Sequence, residues 1–296
     1  MNNPKISVIT TVYNVGEYID KTIQSMLSQS FTDWEMVLVN DCTPDDSVEK
    51  IMQYNDSRLV LINNEVNVGA GKSRQVGIDN ASGDFILFLD GDDWLNDECL
   101  EKLYTAAIEQ DADIVNCWVE KVNEYKLFTF QGINKPQKEE FTTYLGNKLI
   151  RRSLFEKTHY SPLRLFEDIN TLYRLLHLSK KTIKIDYIGY VYNIRPNSLT
   201  TTPNQQHKWL IYHTLAVMEN VDYFEGIKFD YVQIYNPFRV FYMYYKQITT
   251  IPQDIASQYI DEIETIRLWC EAKKEKMKNA LKSGMKNYKA KTKETE

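Results

Sequence analysis

The sequence is poor in the residues that form disulfides and structural metal sites. It holds four cysteines and four histidines among 296 residues. A structural zinc site normally needs four clustered cysteine or histidine ligands, and no C-x-x-C pair is present. We therefore expect no zinc site and reduced thiols, as in a cytoplasmic protein. The cysteines stand far apart, at Cys42, Cys99, Cys117 and Cys270.

Long apolar runs are lacking as well. No stretch approaches the ~18 apolar residues that a membrane span needs, and the first residues, 1–5, contain no apolar leader segment. The sequence predicts a cytoplasmic protein, or one that lies peripherally at the inner face of a membrane.

A net positive charge is lacking except at one end of the chain. The formal net charge is −6, so no overall field attracts nucleic acid, and we expect no nucleic-acid partner. Residues 271–296 differ, because nine lysines against four glutamates leave a net charge of +5 there. Such a segment is typical of a solvated helix end, or of a patch that meets an acidic membrane or polymer.

The first 120 residues alternate between the periods of strands and helices. Apolar, β-branched runs typical of strands buried on both faces recur, with helical patterns between them. This alternation predicts right-handed crossovers and an α/β fold: a Rossmann-like, doubly wound, mostly parallel sheet with helices on both faces. The predicted strands are 6–12, 34–39, 59–62, 85–89 and 114–119, and the predicted helices are 18–27, 71–81 and 97–110.

The pattern changes after Lys121. Residues 141–157 and 168–179 predict helices, residues 182–194 predict an alternating strand, and aromatic-rich helices follow. We interpret 1–205 as one catalytic domain, with a nucleotide-binding half (1–120) and an acceptor half (121–205). A helical C-terminal extension would cover 206–296.

The strongest chemical signal is Asp90-Gly91-Asp92-Asp93, which follows a wholly apolar strand. Clustered carboxylates repel one another and favour a cation, and a few hard oxygen ligands shared with phosphates suit Mn²⁺ or Mg²⁺. Gly91 is expected to supply unusual dihedral angles. The alternative is an acidic turn in which Asp93 caps the next helix. Ligands of parallel sheets bind beyond the carboxyl ends of strands, so we favour the metal site.

A second segment, Gly69-Ala70-Gly71-Lys72-Ser73, looks like the end of a phosphate-binding P-loop. That motif needs a glycine five positions before Gly71, where this chain has Val66. The triphosphatase interpretation therefore fails. The glycines instead predict a close turn from which Arg74 faces a bound nucleotide, unless Arg74 is an ordinary surface arginine.

Four motifs in this order resemble the family 2 glycosyltransferases of the GT-A fold, an inverting family of the bacterial cell-surface polysaccharide type. The resemblance covers residues 5 to about 120 strongly and 145–200 reasonably well, and it does not cover the C-terminal ninety or so. The motifs are Ile6–Asn14, Val39-Asn40-Asp41, Asn67-Val68-Gly69 with Arg74, and Asp90–Asp93.

The resemblance implies a reaction and its partners. It implies inverting transfer of a hexose or N-acetylhexosamine, dependent on Mn²⁺ or Mg²⁺, from a nucleotide-diphosphate donor such as a UDP-sugar. The acceptor would be a hydroxyl of a saccharide or of a lipid-linked molecule.

The resemblance also implies roles for single residues. Asp92 would be the main metal ligand, and Asp168 in Leu165-Phe166-Glu167-Asp168-Ile169 would be the catalytic base. A carboxylate at a helix start is favoured by the helix dipole and can accept a proton from a hydroxyl. The nucleotide would be held by Thr11, Val12, Tyr13, Asp41, Arg74, Asp90 and Gly91. Acceptor or phosphate contacts are expected from Lys148, Glu167 and Arg195.

Two other functions fit parts of the sequence. A nucleotidyltransferase would usually carry a Gly-rich, basic loop after its first strand, where this chain has Thr11-Val12-Tyr13-Asn14. A catalytically inactive sugar-nucleotide-binding subunit is opposed by the intact Asp90, Asp92 and Asp168. The aromatic C-terminal helices would either pack plainly on the catalytic domain or dock a partner, a second protomer or a membrane surface.

Overall fold

The computed structural model describes residues 4–122, 144–195, 206–224 and 246–273. The chain divides into two compact units, Met1–Thr202 and Pro203–Glu296, each of which is described by itself.

The described part of the first unit contains one eight-stranded sheet in the order β3-β2-β1-β4-β7-β6-β8-β5. Strands β1 to β4 run parallel, and β6 and β8 point the same way, whereas β7 and β5 run antiparallel to their neighbours. The mostly parallel sheet predicted from the alternating periodicity is confirmed. The strands are β1 Ile6–Val12, β2 Trp34–Asn40, β3 Leu59–Asn63, β4 Phe85–Phe88, β5 Trp94–Leu95, β6 Ile114–Val122, β7 Lys148–Arg151 and β8 Thr182–Asn193.

Helices cover both faces of this sheet, as predicted. One buried cluster joins the sheet to α1, α2 and α4, and a second joins its other face to α3 and α5. Strands β1, β2 and β4 are almost wholly buried because helices lie above and below them. The helices are α1 Ile19–Leu27, α2 Ser47–Ile51, α3 Ala70–Asn80, α4 Cys99–Glu109 and α5 Glu167–Leu178.

The helix predicted over 141–157 is wrong in the part that the structure describes. There, β7 forms a strand and Arg152–Lys157 forms a 3₁₀ helix. Leu149 and Ile150 are fully buried, and a short apolar run of this kind does not distinguish a buried strand from a buried helix.

Strand β7 joins the two predicted halves of the first unit in one sheet. It comes from the predicted acceptor half, yet it lies between β4 and β6 of the nucleotide half and pairs antiparallel with both. The segment that enters β7 therefore lies beside the end of β4, where the acidic turn begins.

Gly77 sets the distance between α3 and the sheet. A Cβ at this position would lie 2.4 Å from Cγ2 of Ile9 in β1. We expect Gly77→Ala to lower the free energy of unfolding by about 1–3 kcal/mol, because overpacking displaces the helix. Urea denaturation would measure this, with Lys72→Ala on the exposed face of α3 as the control. Equal stability of the two variants would contradict the packing argument.

The described part of the second unit is helical. It contains α6 (Gln206–Tyr223), α7 (Gln253–Ala256) and a helix that includes residues 260–273. Ile211, Met218, Ile248, Ile266 and Cys270 form its buried cluster. The aromatic residues between 231 and 245 and most of the basic segment lie outside the described residues. No helix in the described ranges is long and apolar enough to cross a membrane.

Candidate functional site

Three non-glycine residues with left-handed backbone surround the candidate site. Asn14 (φ 55°) follows β1, Cys42 (φ 56°) follows β2, and Phe166 (φ 63°) precedes α5. Such conformations cost on the order of 1–3 kcal/mol each and cluster at ligand-binding sites. The carboxyl edge of the sheet is therefore the part of this unit with the features of a binding site.

Two arginines neutralise the first two carboxylates of the acidic turn. Nη2 of Arg74 lies 2.8 Å from Oδ1 of Asp90, and Nε of Arg195 lies 2.5 Å from Oδ2 of Asp92. Arg74 also contacts Oε1 of Glu167 at 2.6 Å. Arg74 of α3 therefore connects the acidic turn to the start of α5. Arg195, which follows β8, makes a second connection to the turn.

Asp93 is an internal anchor and not a helix cap. Its side chain is buried and accepts hydrogen bonds from the hydroxyl of Tyr190 (2.6 Å) and from the backbone N–H of Asn193 (2.8 Å), and the hydroxyl of Tyr144 lies 3.0 Å from its Oδ2. Burial, with the charges of Asp90 and Asp92, raises the pKa of Asp93 well above its usual range. The capping role is wrong because α4 starts only at Cys99, beyond the reach of this side chain.

Gly91 lies in a tightly packed place. Its backbone does not have a positive φ, so the unusual dihedral angles expected from the sequence are not left-handed ones. A Cβ would lie 3.1 Å from Cγ2 of Val15 and 3.2 Å from the carbonyl oxygen of Thr11. The missing side chain lets the acidic turn lie directly against the end of β1.

The residues expected at the nucleotide base are divided between surface and interior. Tyr13 is about half exposed (49%) and Thr11 is partly buried, and both lie at the carboxyl end of β1. Val12 is wholly buried in the core, and its carbonyl accepts the N–H of Asp41. The Val12 side chain is thus part of the core, and a contact between Val12 and a nucleotide stays a prediction.

Asp41 shapes the loop before α3. Its carboxylate is buried and accepts the N–H groups of Val68 and Gly69, each at 2.8 Å, and the side-chain amide of Asn64 at 2.9 Å. Gly69 adopts a φ of 86°, as its place in a close turn predicted. Contact between Asp41 and a base stays a prediction.

The start of α5 places two acids side by side. Glu167 is buried, and burial raises its pKa to about 7 against the opposing charge of Arg74. Asp168 is partly buried and accepts the N–H of Ile169 at 2.8 Å. Burial also raises the pKa of Asp168, and Arg74 opposes this rise. A carboxylate of raised pKa is a stronger base, as proton abstraction requires.

Lys148 lies inside the protein and not at the ligand edge where we predicted it. Its side chain is fully buried, and its ammonium nitrogen donates to the carbonyl of Tyr144 (2.5 Å) and to Oδ1 of Asn147 (2.8 Å). Burial lowers the pKa of Lys148 to about 7. The predicted direct contact of Lys148 with a phosphate or an acceptor is therefore wrong. In this structure Lys148 instead binds the backbone of Tyr144.

Tyr144 and Tyr190 are the residues that the sequence interpretation missed. Both hydroxyls meet the acidic turn. Tyr190 has the same parity in β8 as the exposed Lys184, Asp186 and Ile188, and it is buried because register shifts between β6 and β8 interrupt the alternation. Tyr144 precedes β7, and no local pattern marks it.

The acidic turn fits a divalent cation shared with a ligand. Within the described ranges, no group of three or more His, Cys, Asp or Glu side chains is placed to hold a metal alone. Burial and the neighbouring Asp90 charge raise the pKa of Asp92, and Arg195 opposes this rise. Such a carboxylate, completed by phosphate oxygens, suits Mn²⁺ or Mg²⁺.

Comparison with known proteins points to one family. The family model described as "Glycosyl transferase family 2" matches residues 7–172. The uncharacterized glycosyltransferase EpsJ of Bacillus subtilis is 32% identical over 221 residues, 68% of this chain and 64% of EpsJ. Glycosyltransferase GlyA of Streptococcus pneumoniae is 30% identical over 230 residues, 70% of this chain and 32% of GlyA. The chain thus spans less than two thirds of either relative.

Solved structures share the fold. Staphylococcus aureus TarS 1–349, in complex with UDP-GlcNAc, superposes with a TM-score of 0.60 at 20% identity over 92% of both chains. The mannosyltransferase PcManGT of Pyrobaculum calidifontis, in complex with GDP-Man and Mn²⁺, gives a TM-score of 0.57 at 15% identity. The match covers 96% of this chain and 80% of PcManGT.

Proposed function

This chain belongs to glycosyl transferase family 2, and we propose that it transfers a sugar, with inversion, from a nucleotide-diphosphate donor to an acceptor hydroxyl. One observation carries the proposal: Arg74 joins Asp90 of the acidic turn to Glu167 beside Asp168. Arg74 thereby fixes the position of Asp90, the proposed donor-binding carboxylate, relative to Asp168, the proposed base. Direct displacement of the diphosphate by the acceptor requires donor and base to be held in this way.

The donor half of the site is the acidic turn. Asp90 would accept hydroxyls of the ribose, and its carboxylate keeps 27% of its surface exposed for this contact. Asp92 would hold Mn²⁺ or Mg²⁺ together with the diphosphate. When bound, the metal would neutralise the charge that builds on the departing diphosphate. Arg195, which contacts Asp92, is placed to contribute a second positive charge there.

The acceptor half is the start of α5. Asp168 would take the proton of the acceptor hydroxyl as its oxygen attacks the anomeric carbon from the face opposite the diphosphate. The O–C bond forms as the bond to the diphosphate breaks, so the anomeric configuration inverts. Glu167 is bound to Arg74 and would act as a positioning residue for that arginine, not as the expected acceptor contact.

Donor and acceptor are proposed as classes. We infer a UDP-sugar carrying a hexose or N-acetylhexosamine, in line with the UDP-GlcNAc held by TarS. The acceptor would be a saccharide, free or lipid-linked. A screen of UDP- and GDP-sugars for Mn²⁺-dependent release of nucleoside diphosphate tests the proposal. Release from one donor is the expected result, and no binding or release with any of them would overturn it.

The charge of Arg74 should set the lower pH limit of turnover. Arg74 favours the ionised form of Asp168, so we expect Arg74→Gln to raise the pKa of Asp168 further. Because the base works only when ionised, the acidic limb of the kcat profile should then shift to higher pH. The measurement is kcat against pH at saturating donor. Arg74→Lys keeps the charge and should shift the limb less, and equal profiles for the two variants would contradict this account.

A further inference from the structure

The Asp90 carboxylate is fixed at both of its oxygens. Arg74 binds Oδ1 at 2.8 Å, and the hydroxyl of Tyr144 binds Oδ2 at 3.0 Å. Arg74 belongs to the nucleotide half of the unit, whereas Tyr144 comes from the segment that leads into β7. The orientation of this partly exposed carboxylate therefore depends on a residue from the other half of the unit.

The proton of Tyr190 determines where the proton of Tyr144 can go. Each phenol has one proton to donate. The Tyr190 hydroxyl lies 2.6 Å from Oδ2 of Asp93, a short distance typical of donation to a carboxylate. It also lies 2.7 Å from the Tyr144 hydroxyl. The Tyr144 hydroxyl lies equally far, 3.0 Å, from Oδ2 of Asp93 and from Oδ2 of Asp90. Because Tyr190 already donates to Asp93, the proton of Tyr144 is available to Asp90.

The position of Tyr144 is itself fixed by burial and hydrogen bonding. Its carbonyl accepts the ammonium group of Lys148, and Asn147 binds that ammonium group from the other side. The Tyr144 ring packs edge to face on Tyr190 and on Tyr192, with ring centroids 5.3 Å and 6.0 Å apart. The hydroxyl is therefore held in place by a rigid support.

We propose that Tyr144 is a positioning residue for the donor, which holds the Asp90 carboxylate in the orientation that receives the ribose. This inference rests on the proposed function. Tyr190 acts indirectly: it donates its own proton to Asp93, which leaves the Tyr144 proton for Asp90. The buried Lys148, which donates to the carbonyl of Tyr144, keeps the Tyr144 hydroxyl within hydrogen-bonding distance of Asp90.

Binding of UDP in the presence of Mn²⁺, measured by calorimetry, tests the proposal without knowledge of the sugar or acceptor. Tyr144→Phe keeps the ring and removes the hydroxyl. We expect the Kd for UDP to rise about 10-fold, as the loss of a hydrogen bond to a charged group implies. Once a donor is known, its KM should rise similarly, with kcat changed by less than about threefold.

The matched control is Tyr54→Phe. The Tyr54 hydroxyl also binds an aspartate, Asp20, at 2.9 Å, but in the contact between α1 and the segment after α2. This variant removes the same kind of bond and should leave the Kd for UDP unchanged. Equal Kd values for Tyr144→Phe and Tyr54→Phe would overturn the inference.

A double-mutant cycle separates positioning from general damage to the fold. If Tyr144 acts through Asp90, Tyr144→Phe should change the Kd for UDP by less than about twofold in an Asp90→Ala background, which has no side-chain acceptor for the Tyr144 hydroxyl. A full 10-fold effect in that background would show that Tyr144 acts by another route and would overturn the inference. Should Tyr144→Phe fold poorly, Tyr190→Phe gives the same test, because Asp93 would then compete for the Tyr144 proton.

The two proposals fail in different ways. Wild-type protein that binds neither UDP nor GDP would overturn the proposed function and this inference together. Wild-type protein that binds UDP, with a Tyr144→Phe variant that binds it equally well, would overturn the role of Tyr144 alone.

Discussion

Replacement of Asp168 by asparagine is expected to lower kcat by about 10²–10⁴ while the Kd for the donor stays close to the wild-type value. The amide keeps the shape of the carboxylate but cannot take the acceptor proton. Donor affinity should persist because the contacts of Asp90 with Arg74 and Tyr144 do not involve Asp168. Single-turnover kinetics with saturating donor would measure the rate of the chemical step.

Asp33→Asn is the matched control for this variant. Asp33 is exposed and lies just before β2, at the amino edge of the sheet, away from the candidate site. It should turn over like wild type. Near-native turnover of Asp168→Asn would remove Asp168 from the role of base, whatever the variant does to stability.

Asp92→Ala is expected to abolish the gain in UDP affinity that Mn²⁺ gives the wild-type protein. Loss of a residue that only supports a metal ligand already lowers metal affinity about 10- to 100-fold. Loss of the ligand itself should therefore reduce the Mn²⁺-dependent gain by at least that factor. Affinity in EDTA should be kept or slightly improved, because the variant lacks a negative charge that would repel the diphosphate.

Calorimetry with UDP, in EDTA and in Mn²⁺, gives both values for each variant. Asp33→Ala serves as the control, because it also removes one negative charge from the protein. If Asp92→Ala kept the full Mn²⁺-dependent gain in affinity, Asp92 would not be the metal ligand.

The part of the fold that local sequence patterns can specify was predicted well. The apolar runs of β1, β2 and β4 are bounded by turns and separated by helical periods, so their order predicted a parallel sheet. Strand β7 could not be predicted in this way. Leu149 and Ile150 form a strand because they pair with β4 on one side and with β6 on the other. This pairing exists only in the assembled sheet and has no counterpart in the local sequence.

The same distinction holds at the candidate site. The carboxylates of the acidic turn and of α5 were predicted, because strand ends and motif order mark them. Their partners were not, because Tyr144 and Tyr190 are distant in sequence and carry no local signal. The altered roles of Asp93, Gly91 and Lys148 all follow from contacts of this long-range kind.

The insertion of β7 between β4 and β6 has a consequence for how the first unit folds. A fragment that ended at Val122 would lack the strand between β4 and β6, together with Glu167, Arg195 and both tyrosines of the acidic turn. Its three carboxylates would retain Arg74 as their one cationic partner from the contacts described above. We therefore expect the two predicted halves, 1–120 and 121–205, to unfold together as one cooperative unit, and neither to keep its structure when expressed alone.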